Sequence, residues 1–246
     1  MKRYLIVGYK GEIGSFLLQG LLRVMPKALD IFCVDINETE EEVTERIEKS
    51  DIIFLCVPYN QTVDWIIKYQ ELLKNKTIIE QCSRKEWIYN DKRLKELKHI
   101  IGSFINPGCL KSMHILFRPS QTPDLKDRDV VILRSPSDFS SDELLMIESI
   151  TQSKLVFINN PEEHDREMAI QQALVHRTII SLGNRLEKGK CSTFIGKKII
   201  ELKDRIMKGN KELCDFIQQN EYIDSPNNWL QSDMREFTID KYWKKK

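Results

Sequence analysis

The sequence has little charge of either sign to spare: 38 lysines and arginines stand against 37 aspartates and glutamates in 246 residues, a formal net charge of +1. So even a balance leaves no global field to gather nucleic acid or an anionic membrane surface, and a small-molecule partner is expected instead. Apolar runs are short, and none approaches the roughly 18–20 residues that a membrane span needs. The N-terminal Met1-Lys-Arg-Tyr-Leu-Ile-Val-Gly8 runs directly into a strand pattern and then glycine, so a cytoplasmic location is expected. Six cysteines (Cys33, Cys56, Cys82, Cys109, Cys191, Cys214) form no CxxC pair, and several lie inside apolar runs, where a thiol packs as a small hydrophobe. Disulfides are therefore not expected. Histidine is scarcer still, with only His99, His114, His164 and His176, and no further His or Cys pair has ligand spacing, so no metal site is expected.

What is present is an alternation of strand and helix signals. Residues 3–7 form an apolar run ending at Gly8, and helical spacing follows from Ile13 to Met25, closed by Pro26. A second run, Ile31 to Val34, ends at Asp35, and Asp51 to Pro58 reads as a fully buried third strand. Further units are predicted as helix Gln61–Leu73, strand Thr77–Glu80, helix Arg84–Leu97, strands His99–Ile105 and Asp129–Leu133, helix Ser141–Ile150 and strand Leu155–Phe157. Continuous apolar strands separated by helices imply a doubly wound, mainly parallel α/β sheet. After Pro161 the pattern changes to helices alone, at Glu162–Glu187, Phe194–Met207 and Lys211–Gln219, with a last helix after Trp229. The expected organisation is an α/β domain over 1–159 and an all-α domain over 160–246. A helical layer this small buries little by itself, so packing on the first domain or on a second subunit, most simply in a homodimer, is expected.

The turn after the first strand is Gly8-Tyr9-Lys-Gly11-Glu12-Ile13-Gly14, a GxxGxxG variant that places glycine where backbone approaches a pyrophosphate and where helix packs closely on strand. Asp35 closes the second strand 21 residues after Gly14, where a carboxylate accepts bonds from the adenosine ribose and repels a 2′-phosphate. Together these imply a Rossmann-type domain that binds NAD rather than NADP. Val57 and Pro58 end the third strand at the edge where ligands collect in this architecture. A glycine turn in a ligand-free domain, with Asp35 as a helix cap, is the plainer alternative.

For chemistry, the candidates lie in four segments. Glu163-His164-Asp165, followed by Met168-Ala and Gln172-Ala-Leu-Val-His176, sets His164, Met168, Gln172 and His176 at four-residue intervals, which would align them on one helix face. This block resembles the start of the helical domain of prephenate and arogenate dehydrogenases. Glu80-Gln-Cys-Ser83-Arg-Lys85 resembles that family's strand-end Asp-x-x-Ser-x-Lys; Ser112-Met-His114-Ile-Leu-Phe117-Arg118-Pro119 resembles its His-Pro-Met-Phe-Gly-Pro; and Asp204-Arg205 resembles a later helix.

The resemblance implies oxidative decarboxylation of a cyclohexadienol acid, giving 4-hydroxyphenylpyruvate or tyrosine. It implies His114 as acceptor of the hydroxyl proton, Ser83 beside the same hydroxyl, Arg205 as a carboxylate clamp, His176 and Gln172 as further polar contacts, and Lys85 as a weaker contact that could equally be solvated. Two departures stand out: Ile115 replaces proline and Arg118 replaces glycine. Arg118 is either an extra anion contact or a surface residue. An alternative alignment puts Asn106-Pro107 in the histidine's place, which would leave no catalytic base. Other readings are a related oxidoreductase acting on another cyclic hydroxy acid, and an inactive dinucleotide-binding regulatory module. Trp65, Trp87, Trp229 and Trp243 are expected to pack rather than to stack on bases, since no basic stripe accompanies them.

Overall fold

The structure is a computed structural model that describes residues 2–25, 30–100, 110–120, 128–134, 139–187, 189, 193–209 and 211–223. It divides into two compact units, Met1–His164 and Asp165–Lys246.

The first unit is built on β1 (Tyr4–Val7), β2 (Ile31–Val34), β3 (Ile52–Leu55), β4 (Thr77–Glu80), β5 (Leu110–Ile115), β6 (Asp129–Leu133) and β7 (Lys154–Ile158). They form one sheet in the order β2-β1-β3-β4-β5-β6-β7. β1 to β5 run parallel, while β6 pairs antiparallel with β5 and parallel with β7. The doubly wound α/β fold read from the sequence is therefore present.

Helices cover both faces. α1 (Glu12–Val24) and α6 (Ser141–Thr151) pack Leu17, Leu21, Ile147 and Ile150 over Ile6, Phe54 and Ile79. α2 (Glu40–Lys49), α3 (Tyr59–Tyr69), α4 (Lys85–Tyr89) and α5 (Lys92–Ile100) lie over Leu5, Ile53, Leu55 and Ile78. With both faces covered, every residue of β3 is buried, which is why its sequence is a continuous apolar run and not an alternation. α2 opens with a capping box between Thr39 and Glu42, so its run of three glutamates sits in a first turn. Trp65 packs on Tyr69 and Trp87 edge-on to Tyr59, as expected of packing residues.

Two predicted elements change. The helix expected over Arg84–Leu97 is broken into α4 and α5 at Asn90-Asp91, where Asn90 caps α4 and Asp91 accepts from the amide of Arg93. The strand expected at His99–Ile105 is absent at its start, because His99 and Ile100 complete α5. The strand beside β4 is instead β5, Leu110–Ile115. Positions 101–109 lie outside the described residues, and Asn106 with them.

The second unit contains α8 (Val175–Leu186), α9 (Phe194–Met207) and α10 (Lys211–Gln218), preceded by a π-helical stretch, Ala169–Leu174, that continues from α7 (Pro161–Met168). Among the described residues Ala169, Ala173, Ile217 and Ile223 form a buried apolar cluster, and Met168 and Phe216 are buried as well. Phe194, Ile195 and Met207 of α9 are exposed, at 76%, 69% and 62%. The helix expected after Trp229 lies outside the described residues. Among the described residues no helix is long and apolar enough to cross a membrane.

Candidate active site

The strand order fixes where a ligand belongs. β2 and β3 leave β1 on opposite sides, so the topological switch point falls at the carboxyl ends of β1 and β3. Gly8 and Gly11 follow β1 there, and Val57 and Pro58 follow β3. Gly8 has φ +82, and a Cβ at that position would meet the carbonyl oxygen of Cys56 at 2.6 Å. Gly14 is more restricted still, since its Cβ would lie 2.2 Å from the carbonyl oxygen of Gly8. These glycines bring turn, helix and neighbouring strand into contact. α1 then begins at Glu12 with no side-chain cap from Gly11, leaving the first-turn amides directed at the switch point. The Asp35 carboxylate accepts from the amides of Lys10 and Ile36, at 2.9 Å each, so it faces the glycine turn and does not cap a helix. Tyr9, Glu12 and Ile13 lie in the same turn and first helical residues.

A second cluster sits at the carboxyl end of β4 and along β5. Side chains alternate along β5, so Met113 and Ile115 join the α1 and α6 face, while Ser112 and His114 point to the other. Glu80, the last residue of β4, is fully buried, a position a carboxylate occupies only with partners. It accepts from Lys85 Nζ at 2.8 Å, from the Cys82 amide at 2.7 Å and from the Ser112 hydroxyl. Lys85 Nζ also donates to the Met113 carbonyl at 2.9 Å. The solvated alternative for Lys85 is thus overturned: the residue is buried in the interior of the site.

His114 is 4% exposed and His164 is fully buried, with His114 Nδ1 and His164 Nε2 3.1 Å apart. One imidazole donates and the other accepts. Burial first, then His164 and Lys85, holds the His114 pKa well below the ordinary 6.5, and burial followed by Lys85 does the same to His164. Both rings are neutral near pH 7. Ser83 is half-buried between Cys82 and the start of α4. Burial, followed by the Glu80 charge, pushes the Cys82 thiol and the Tyr89 hydroxyl up, so neither is a nucleophile near neutrality.

In the second unit, the π-helical stretch carries Gln172 and interrupts the four-residue register on which the expected stripe depends. His176 stands in the first turn of α8; burial lowers its pKa, and its Nδ1 is buried without a partner among the described residues. Arg205 lies in the last turn of α9, on its exposed side.

Several members of these clusters lie inside the quoted segments, but the segments do not show what they do. His164 pairs with a residue 50 positions away, which spacing cannot show. Glu80 could have been found, because a carboxylate ending an apolar strand needs a cation nearby and Lys85 is five residues on. Gln81 is the least visible: both polar atoms of its side chain are buried without a partner among the described residues, next to the switch-point edge, as suits a polar ligand.

Fold and clusters together define the class, a Rossmann-type domain with a buried histidine pair at its ligand edge. No family model matches the sequence, and no curated protein matches it. Solved structures share the fold. Prephenate dehydrogenase from Aquifex aeolicus, in complex with hydroxyphenyl propionate and NAD+, aligns with a TM-score of 0.66 at 17% identity over 96% of this chain and 89% of its own. A putative prephenate dehydrogenase from Corynebacterium glutamicum gives 0.71 at 15% identity over 96% and 79%. Arogenate dehydrogenase from Synechocystis gives 0.60 at 16% identity over 98% and 93%. A pyrroline carboxylate reductase from Plasmodium falciparum shares the fold at 0.52. At these identities the likeness establishes the fold and leaves the reaction to the site.

Proposed function

We propose that this chain is an NAD-dependent dehydrogenase that oxidises the ring hydroxyl of prephenate or arogenate and releases carbon dioxide, yielding 4-hydroxyphenylpyruvate or tyrosine. The observation that carries this reading is the neutral, buried pair His114 and His164, on the same sheet edge as the glycine turn. A bound nicotinamide dinucleotide supplies the hydride acceptor. Gly8, Tyr9, Gly11, Glu12, Ile13 and Gly14 would hold its pyrophosphate through backbone, Asp35 its adenosine ribose, and Val57 and Pro58 would line the switch point.

His114 accepts the hydroxyl proton at Nε2. That requires hydrogen on Nδ1, and His164 Nε2 is the acceptor that selects this tautomer. Hydride and proton loss convert the carbinol to a ketone. Departure of the ring carboxylate as carbon dioxide then drives its electron pair through the ring onto the ketone oxygen, which takes the proton back from His114. Ser83 would bond the same hydroxyl. Arg205 would grip a carboxylate through its planar fork, with His176 and Gln172 as further polar contacts. Lys85, already held by Glu80, acts on the pair through its charge. The exposed apolar residues of α9 favour a homodimer through the helical unit.

The fold shared with pyrroline carboxylate reductase raises imine reduction as a second reading, but that chemistry needs a proton donor, and neutral imidazoles favour acceptance. Purified protein incubated with NAD and prephenate, then with arogenate, should reduce the cofactor and release carbon dioxide with one of them. Dinucleotide binding without turnover on either would refute the proposed reaction and favour the binding-module or altered-substrate reading.

A further inference from the structure

Glu12 is an awkward residue for a helix that is to receive a diphosphate. It occupies the first position of α1, and its carboxyl pKa is lowered despite burial, because Ser120 and Arg118 outweigh it. A charged carboxylate therefore stands where an anionic ligand would approach. The same carboxylate is held on both oxygens from the segment that follows β5. The Ser120 amide and hydroxyl donate to Oε1, the amide at 3.2 Å, and Arg118 Nε lies 3.4 Å from Oε2. Arg118 and Ser120 are 106 and 108 positions away from Glu12 in the chain, and they reach it because β1 and β5 end at the same edge of the sheet.

We propose that Arg118 is a dinucleotide-positioning residue: it neutralises Glu12 and ties it aside, so that the first turn of α1 can accept the cofactor's diphosphate. This rests on the dinucleotide reading given above. Through Nε the guanidinium engages the carboxylate, and its two terminal nitrogens leave donors suited to a phosphate oxygen. Half-exposure of the pair, 45% for Arg118 and 34% for Glu12, keeps it at the mouth of the turn instead of in the interior. An acidic residue at the helix start and a basic residue after β5 are thus one device. The acid alone would be a liability, because it repels phosphate. Ser120 completes the arrangement by holding the carboxylate when a ligand draws on Arg118.

The test is dinucleotide binding, followed by calorimetry and by quenching of intrinsic fluorescence with NAD and with ADP-ribose as probes, at low and high salt. Arg118→Ala should weaken both probes about tenfold at low salt, and Arg118→Lys, which keeps the charge, should weaken them less. Glu12→Gln, which keeps the backbone of the turn and removes the repelling charge, should bind both probes more tightly than the parent at low salt. The decisive variant is Glu12→Gln/Arg118→Ala, which should recover most of the affinity lost in Arg118→Ala, because nothing is left to neutralise. Thermal melts confirm that each variant is folded, and the conservative Arg118→Lys and Glu12→Gln changes keep the test usable should Arg118→Ala be unstable. Parent-like binding by Arg118→Ala, or a double variant as weak as Arg118→Ala, would overturn the charge-compensation role while leaving the dinucleotide reading intact. A parent chain that binds neither probe refutes both.

Discussion

His114 of β5 and His164 of α7 place Nδ1 and Nε2 3.1 Å apart in a setting from which solvent is excluded. A contact between two buried imidazoles is compatible with one shared hydrogen and no net charge, and the nearby Lys85 ammonium reinforces that state by disfavouring a proton on either ring. The pair is therefore set to be neutral near pH 7, with one ring donating and the other accepting.

Stability should fall in acid. Three histidines, His114, His164 and His176, have pKa values depressed in the folded chain, so the unfolded chain takes up protons first as pH drops below about 6.5. Each contributes up to about 1.4 kcal/mol per pH unit within the window between its folded and unfolded values. Urea midpoints measured between pH 7.5 and 5 should decline, and replacing His164 with Gln should flatten the decline. A midpoint unchanged over this range would contradict the burial of neutral rings.

The same depression fixes a kinetic limb. His114 remains able to accept a proton well below pH 6.5, so kcat should hold constant down to that value and fall along an acid limb only below it. A limb centred near 6.5 in a pH-rate profile would mean an ordinary, solvated imidazole.

Glu80 and Lys85 form a fully buried ion pair, and removing one partner strands the other. Glu80→Gln and Lys85→Met should each cost about 3–5 kcal/mol in denaturant unfolding, and the double change Glu80→Gln/Lys85→Met should cost less than the sum. Additive losses would show that the two charges do not depend on one another.

The glycine turn makes a graded prediction. At Gly14 an added methyl would lie 2.2 Å from the Gly8 carbonyl oxygen, whereas at Gly11 the nearest atom is 3.3 Å away. Gly14→Ala should abolish dinucleotide binding and lower Tm by several degrees, while Gly11→Ala should be tolerated with a mild loss of affinity. Equal behaviour of the two variants in a binding titration would contradict the close approach.

Much of the first unit was legible because its strands are buried on both faces: Ile52–Leu55 is an unbroken apolar run, and Thr77–Glu80 keeps an apolar pair at its centre. β5 was hidden for the opposite reason. Leu110–Ile115 interleaves Lys111, Ser112 and His114 with its apolar residues, and its polar side chains are buried by partners distant in sequence, Glu143, Glu80 and His164. Periodicity records which residues avoid water; it does not record which polar residues have been matched. The break at Asn90-Asp91 was likewise a local hydrogen-bond choice inside a pattern that reads as one helix. His114 could be singled out from its neighbours Phe117 and Pro119, but its dependence on His164 required the fold.

The most direct measurement is steady-state turnover and NAD affinity of His114→Asn beside the parent chain, on whichever acid the parent oxidises. A histidine that accepts the hydroxyl proton predicts kcat reduced about 10²–10⁴-fold with NAD affinity unchanged. Turnover retained within a few-fold, or a loss confined to NAD binding, would contradict it.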